Sequence, residues 1–298
     1  MQIIKHKNIF LAVSTAIVVI AALGVILLGF KPGIDFTGGT LWQVELVEKE
    51  VSRQELSNWL QGELAFEQVS ITQPSSGGYQ IRTTELTETE HQEALEQLTT
   101  EFGPVTELRF ESLGSAIGKE LRDKALWAFL INLLAISAYI AYAFRKVSFP
   151  ISSWKYAAVT LITLFHDAII PMGLFAFLGY FAGIEIDTNF IVAMLVVVGF
   201  SVHDTIVVFD RIREKLRLSN VSKKGFANLV NESVNETIAR SVNTSITLIV
   251  VLVALYMIGA STLSYFVLAI LVGTLAGTYS SIFVASPLLV VWHDRAKK

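Results

Sequence analysis

SVNTSITLIVVLVALYMIGASTLSYFVLAILVGTLAGTYSSIFVASPLLVVW, residues 241–292, runs for 52 residues without one charged side chain. A helix needs about 20 apolar residues to cross roughly 30 Å of hydrocarbon. The run therefore holds two membrane spans, and Gly259, Ala260 and Ser261 mark the break between them. Residues 8–30 and 125–144 are equally free of charge and supply one span each. Residues 156–182 and 188–209 supply two more, each interrupted by ionisable groups. The sequence thus predicts an α-helical integral membrane protein with six transmembrane helices. Composition agrees: 53% of the 298 residues are hydrophobic and 16% are charged, against roughly 25% charged in soluble chains. The apolar run near the N-terminus exceeds the usual signal-peptide core and has no A-x-A-like cleavage site, so an uncleaved first helix is expected.

The net charge of −3 hides an asymmetry. Residues 31–124 carry a balance of −9, and the rest of the chain carries +6. Outside 31–124, and apart from Arg240 at the start of span five, the basic residues fall in four places: Lys5 and Lys7; Arg145, Lys146 and Lys155; Arg211, Arg213, Lys215, Arg217, Lys223 and Lys224; and Arg295, Lys297 and Lys298. In a six-span arrangement all four lie on one side, while residues 183–187 and 259–262 hold no Lys or Arg. Lys and Arg collect in cytoplasmic loops. Both termini are therefore expected in the cytoplasm, and residues 31–124 outside. The basic excess belongs to this topology, and no nucleic-acid partner is expected. Trp127, Trp154 and Trp292 sit near span ends, where an aromatic belt places them. Segment 211–240 reads as a cytoplasmic amphipathic stretch lying on membrane lipid.

Between the first two spans, strands are expected at 40–47, 66–73, 79–84 and 105–112, and helices at 52–61 and 87–101. Thr87 followed by Glu90 is a capping box, and 74–78 (PSSGG) is a turn. The order β-α-β-β-α-β predicts a ferredoxin-like domain on the periplasmic side. His91, on a charged helix, is expected to be an exposed structural histidine. The domain shows no catalytic constellation, so it reads as a contact or lever module.

Ionisable residues inside spans are costly, about 2.5–3.5 kcal/mol on insertion scales, and point to function. Asp204 lies ~9 Å along its helix from Asp210, below the headgroups. Two readings stand: a proton carrier, or a structural Asp bonded to a neighbouring helix. Its neighbour His203 points about 100° away, and Ser201 and Thr205 add polar groups. Arg240 opens span five at a comparable depth and either pairs with Asp204 or snorkels. His166 and Asp167 lie ~16 Å beyond Lys155, near mid-membrane; they serve either a functional or a structural hydrogen-bonding role. The chain has no cysteine and no H-E-x-x-H pattern. A metal site built from the two His-Asp pairs is the weaker reading, and no metal, cofactor or enzymatic activity is expected. Gly273 and Gly277 form a small-xxx-small pattern for helix packing.

These motifs carry a family likeness. GIDFTGGT at 33–40, HDAII at 166–170, HDTIVVFDRIRE at 203–214, RSVNTSITL at 240–248 and SSIFVAS at 280–286 occur in order along nearly the whole chain. With them the sequence resembles the SecF family of bacterial protein-export subunits, in the RND superfamily of proton-driven transporters. The resemblance implies six spans with one periplasmic domain, and a six-helix SecD partner. It also implies work beside a SecY-type translocon channel on translocating preproteins in the bacterial inner membrane. Asp204 becomes the membrane carboxylate of the proton pathway, with Arg240 associated, and Gly33, Asp35, Phe36, Thr37, Gly38 and Gly39 become the motif after span one. Two positions depart from the pattern: His203 stands where Asn is common, leaving proton or sodium as coupling ion, and Ser115 replaces a proline. Two alternatives stay open, a proton-driven small-molecule exporter of the same superfamily and a non-transporting scaffold.

Overall fold

The computed structural model describes residues 1–48, 51–73, 77–145, 151–218 and 225–295. It forms two compact units, one of residues 1–31 with 127–298 and one of residues 32–126.

Six helical segments are long and apolar enough to cross a membrane. They are α1 (Lys7–Leu28), α5 (Ser115–Ala143), α6 (Ser153–Ala182), α7 (Thr188–Leu218), α8 (Phe226–Ile258), and α9 (Ser264–Ser280) continued through a π turn (Ser281–Ala285) into α10 (Ser286–Arg295). Helices α6, α7 and α9 are the most buried, while α1, α5 and α8 turn wide apolar faces outward. Gly273 sets the α9–α7 distance: a Cβ added there would fall inside the Val197 side chain, and one on Gly277 would lie 3.0 Å from Ser201 Cβ.

Chain ends and connections identify the two ends of the bundle. At one end the Met1 amino group donates to Asn235 at 3.0 Å, Lys7 pairs with Asp294 at 2.6 Å, and Trp154 meets Trp292 edge-on at 5.2 Å. At the other, Lys31 lies 3.5 Å from Glu185, and the Ile186 amide donates to the Lys31 carbonyl at 2.9 Å.

Several helices run past their expected ends. Helix α5 begins at Ser115 rather than 125. Residues 211–218 and 226–240, expected as a separate amphipathic stretch on the lipid, extend α7 and α8; residues 219–224 lie outside the described part. The reason is packing. Phe209 and Ile212 share a buried cluster with Phe226, Leu229, Val230 and Val234. The charges flank that seam: Arg211 Nε donates to Glu236 at 2.7 Å, as does Lys215 Nζ.

In the unit 32–126, Gly33 precedes a short helix α2 (Ile34–Thr37), followed by β1 (Gly39–Leu46), α3 (Arg53–Gly62), β2 (Ser70–Thr72), β3 (Tyr79–Thr83), α4 (Glu88–Phe102) and β4 (Val105–Leu113). The sheet is antiparallel in the order β2-β3-β1-β4, with a register shift at Gln43/Val44. Alternation puts Trp42, Val44, Tyr79 and Ile81 on one face, covered by Leu56 and Leu60 of α3 and by Ala94, Leu98 and Phe102 of α4. Strand β2 is shorter than the 66–73 expected. Ala65 and Gln68 both have φ of +53°, a left-handed conformation that interrupts extended chain.

The motif after span one makes a tight corner. Thr37 Oγ1 donates to the Gly33 carbonyl at 3.1 Å, and Phe36 is buried. Gly38 has φ of +74°, and a Cβ there would come within 2.5 Å of Ser115 Cα, so no larger residue fits.

His91 is not exposed; it is 3% accessible. It shares a helical face with Ala94, Leu98 and Phe102. Its ring stacks on Phe110 at 3.5 Å between centroids, and its Nε2 lies 2.5 Å from Glu107 Oε2. Trp42 Nε1 donates to the same oxygen at 2.8 Å.

The capping box at α4 is present. The Thr87 amide donates to Glu90 at 2.7 Å, and the Glu90 amide donates to Thr87 Oγ1 at 3.4 Å. The Thr87 amide, then its hydroxyl, hold the Glu90 carboxyl below its ordinary range. A depressed carboxylate contributes stability above its unfolded pKa and loses it as pH falls through the folded value. Thr87→Ala should weaken the α4 start by about 1 kcal/mol. Amide exchange of the first α4 turn should quicken at neutral pH, and the difference from wild type should shrink in acid.

Candidate functional site

Asp204 sits on α7 and is 1% exposed. It is fixed there because the α7 face carrying Val197, Ser201, Asp204 and Val208 is the buried one. Ser245 Oγ on α8 donates to Asp204 Oδ2 at 3.3 Å, and Thr278 Oγ1 on α9 donates to Ser245 Oγ at 2.6 Å. Three helices therefore meet at one carboxylate through two hydroxyls.

A second carboxylate lies in the same bundle. Asp167 on α6 is fully buried and His166 is 4% exposed. Asp167 Oδ2 accepts from Ser280 Oγ of α9 at 2.7 Å and from Ser201 Oγ of α7 in a short bond. His166 Nδ1 lies 2.8 Å from Asp167 Oδ1. Beyond the His166 side of this cluster, Tyr279 stacks over the imidazole at 6.4 Å, and Ser14 of α1 donates to the Tyr279 hydroxyl at 3.1 Å.

The two clusters share their helices. Ser201 precedes Asp204 by three residues on α7, a rise of ~4.5 Å. Thr278 and Ser280 are two residues apart on α9, immediately before the π turn. π turns are rare and concentrate at functional sites. Among the described residues, five buried polar atoms have no hydrogen-bond partner: Tyr156 Oη, His166 Nε2, Thr205 Oγ1, Ser241 Oγ and Thr274 Oγ1. Thr205 adjoins Asp204, Ser241 lies one turn before Ser245, and Thr274 one turn before Thr278.

The structure thus brings together Asp204, Asp167 and His166. It does not pair Arg240 with Asp204: Arg240 is exposed on α8 and makes no ion pair among the described residues. His203 is exposed beside Asp204 and contributes no hydrogen bond to either cluster among the described residues. Sequence reading missed Ser245, Thr278 and Ser280. Their signal was hydroxyl residues within the charge-free run 241–292, whose length alone was used to place two spans. Among the described residues no group of three or more His, Asp or Glu is placed to hold a metal ion.

Comparison with known proteins follows the same residues. Residues 94–295 match the family described as protein export membrane protein SecD/SecF, C-terminal. The chain is 42% identical to the protein translocase subunit SecF of Thermobaculum terrenum, over 99% of this chain and 94% of that one. It is 35% identical to the protein translocase subunit SecDF of Thermus thermophilus, over 97% of this chain and 38% of that one. The crystal structure of SecDF from that organism, described as a translocon-associated membrane protein, superposes with a TM-score of 0.84 at 34% identity. That superposition covers 99% of this chain and 39% of the solved one. With its six apolar helices and full-length likeness to these subunits, the chain belongs to the SecF family of protein-export membrane proteins.

Proposed function

We propose that this chain is an accessory subunit of the Sec translocase that couples proton movement through its bundle to late protein translocation across the inner membrane. The carrying observation is Asp204: a carboxylate buried on span four, bonded through Ser245 to span five and through Thr278 to span six. When Asp204 is ionised, the hydroxyl of Ser245 bonds a charge, which is worth more than a neutral bond. Protonation weakens that bond and frees the packing of α7 against α8. One proton crossing about 100 mV releases about 2.3 kcal/mol, comparable to the bonds it rearranges. Arg240 favours the ionised state from the α8 side when the bundle moves.

The distribution of Lys and Arg supports cytoplasmic termini, and with them a periplasmic unit at 32–126. The β-α-β-β-α-β order and the sheet order β2-β3-β1-β4 support reading that unit as ferredoxin-like. It would engage the emerging preprotein beside a SecY-type channel. A SecD partner is supported by the fused SecDF relative, in which the part similar to this chain is 38% of the whole. A face of α8 adds to this. Arg240, Asn243, Thr244 and Thr247 form an exposed polar stripe at helical spacing, unsuited to lipid and suited to a neighbouring six-helix bundle.

The test is proton flux in vesicles holding this chain with its SecD-type partner. An imposed gradient should drive dye-reported flux, and Asp204→Asn should reduce it at least tenfold with the complex intact. Unchanged flux would refute the proton role of Asp204.

A further inference from the structure

We propose that His166 and Asp167 form a second proton-holding site, which exchanges its proton in step with Asp204 across α7 and α9. The inference rests on the proton-coupled reading above and adds a second group to it.

Asp167 is fully buried, yet no Lys or Arg reaches it among the described residues. Among the described residues its one ionic partner is His166. The titratable groups around it are His166 on its own helix, Tyr279 on α9, and Asp204 one turn past Ser201 on α7. A purely structural hub would need only a neutral hydrogen-bonding group here, because an unpaired buried carboxylate is costly. The pair is nearly neutral as a unit once one proton is shared between imidazole and carboxyl.

The atoms are placed for that. With Asp167 ionised, Oδ2 accepts from Ser201 and Ser280, and Oδ1 accepts from His166 Nδ1–H. Nδ1 being the donor, Nε2 carries a lone pair, and that atom is buried without a partner. Its acceptor capacity is unused. Proton uptake at Nε2 gives imidazolium against carboxylate; passing the Nδ1 proton to Oδ1 leaves neutral imidazole against carboxylic acid. One proton enters the pair and none leaves it; the shift from Nδ1 to Oδ1 only moves the held charge, and discharge is the reverse, with loss of the Nε2 proton after the Oδ1 proton returns to Nδ1.

Coupling to Asp204 follows from shared helices. Neutralising Asp167 weakens its hold on Ser201 of α7 and Ser280 of α9 together. Those are the helices that carry Asp204 and Thr278. Each carboxylate therefore senses the charge of the other through the same two elements, and the π turn after Ser280 gives α9 a place to yield.

The experiment is the pH-difference infrared spectrum of the complex of this chain with its SecD-type partner in lipid, read at the protonated-carboxyl stretching band. Wild type should show two titrating buried carboxyls. Asp204→Asn should remove one and Asp167→Asn the other, and His166→Gln should move the midpoint of the Asp167 band by at least about one pH unit. A spectrum emptied by Asp204→Asn alone, with Asp167→Asn indistinguishable from wild type, overturns the proposal and leaves the Asp204 reading intact. An Asp167 band without an Asp204 band overturns the exchange in step with Asp204, and the Asp204 role with it, leaving a His166–Asp167 pair that holds a proton alone. Should Asp167→Asn fail to assemble, His166→Gln decides, since an unmoved midpoint in that variant also overturns the proposal.

Discussion

Gly273→Leu is expected to prevent the chain from accumulating as a folded membrane protein. At this position α9 lies so close to α7 that even one added carbon overlaps Val197, with Val197 Cβ at 2.9 Å. Both helices are among the most buried of the six, so neither can retreat into lipid without opening the centre. Overpacking a tight interior costs about 1–3 kcal/mol for a few methylenes and more when backbone must move. Leucine adds four carbons, and the displacement falls one turn from Ser201 and two turns from Ser280, the two donors to Asp167. Gly273→Ala should be tolerated only in part. Gly199 provides the control: a Cβ there meets nothing within 4 Å, so Gly199→Ala should change stability by no more than about 0.5 kcal/mol. Thermal aggregation in detergent, with protein level by blot, separates the three. Gly273→Leu as stable as Gly199→Ala would mean that α7 and α9 do not touch there.

The spans were legible because lipid imposes a simple rule: helices inside it carry no charge, so charge-free runs mark them. Helix ends were not, because the rule stops at the headgroups. Ser115–Lys124 is polar and charged, which hides the first turns of α5 from any reading of hydropathy. The same holds for Arg211–Leu218 of α7, where the buried Ile212 sits between Arg211 and Arg213. His91 was misjudged for a related reason. The helix around it is acidic, but 91, 94, 98 and 102 form one face, and the face rather than the composition sets burial. Asp204 stood out as one carboxylate in an apolar run. The centrality of Asp167 did not, since its partners come from α7 and α9, more than thirty and a hundred residues away. Spacing within one helix carries no information about which hydroxyls of other helices will converge.

In cells whose only copy carries Asp204→Asn, export of a reporter precursor is expected to stall while the protein level stays normal. Asn matches Asp in size and still accepts a hydrogen bond from Ser245, so the packing of α7 on α8 survives. What it lacks is the charged state, and the bundle is held in its neutral arrangement at every pH. Variants of the two hydroxyls should give graded effects. Ser245→Ala removes the donor to Asp204 and leaves the carboxylate able to titrate, so a hydrogen bond to a charged group, about 1.5–3 kcal/mol, is lost. Its export should slow, and the proton-motive force needed for half-maximal rate should change. Thr278→Val leaves Ser245 free to bond Asp204 and removes only the donor behind it, so the slowing should be smaller. The order Asp204→Asn, then Ser245→Ala, then Thr278→Val is set by distance from the charge. A structural scaffold predicts a different order, in which Ser245→Ala and Thr278→Val lower the protein level and Asp204→Asn, having kept its shape, exports normally.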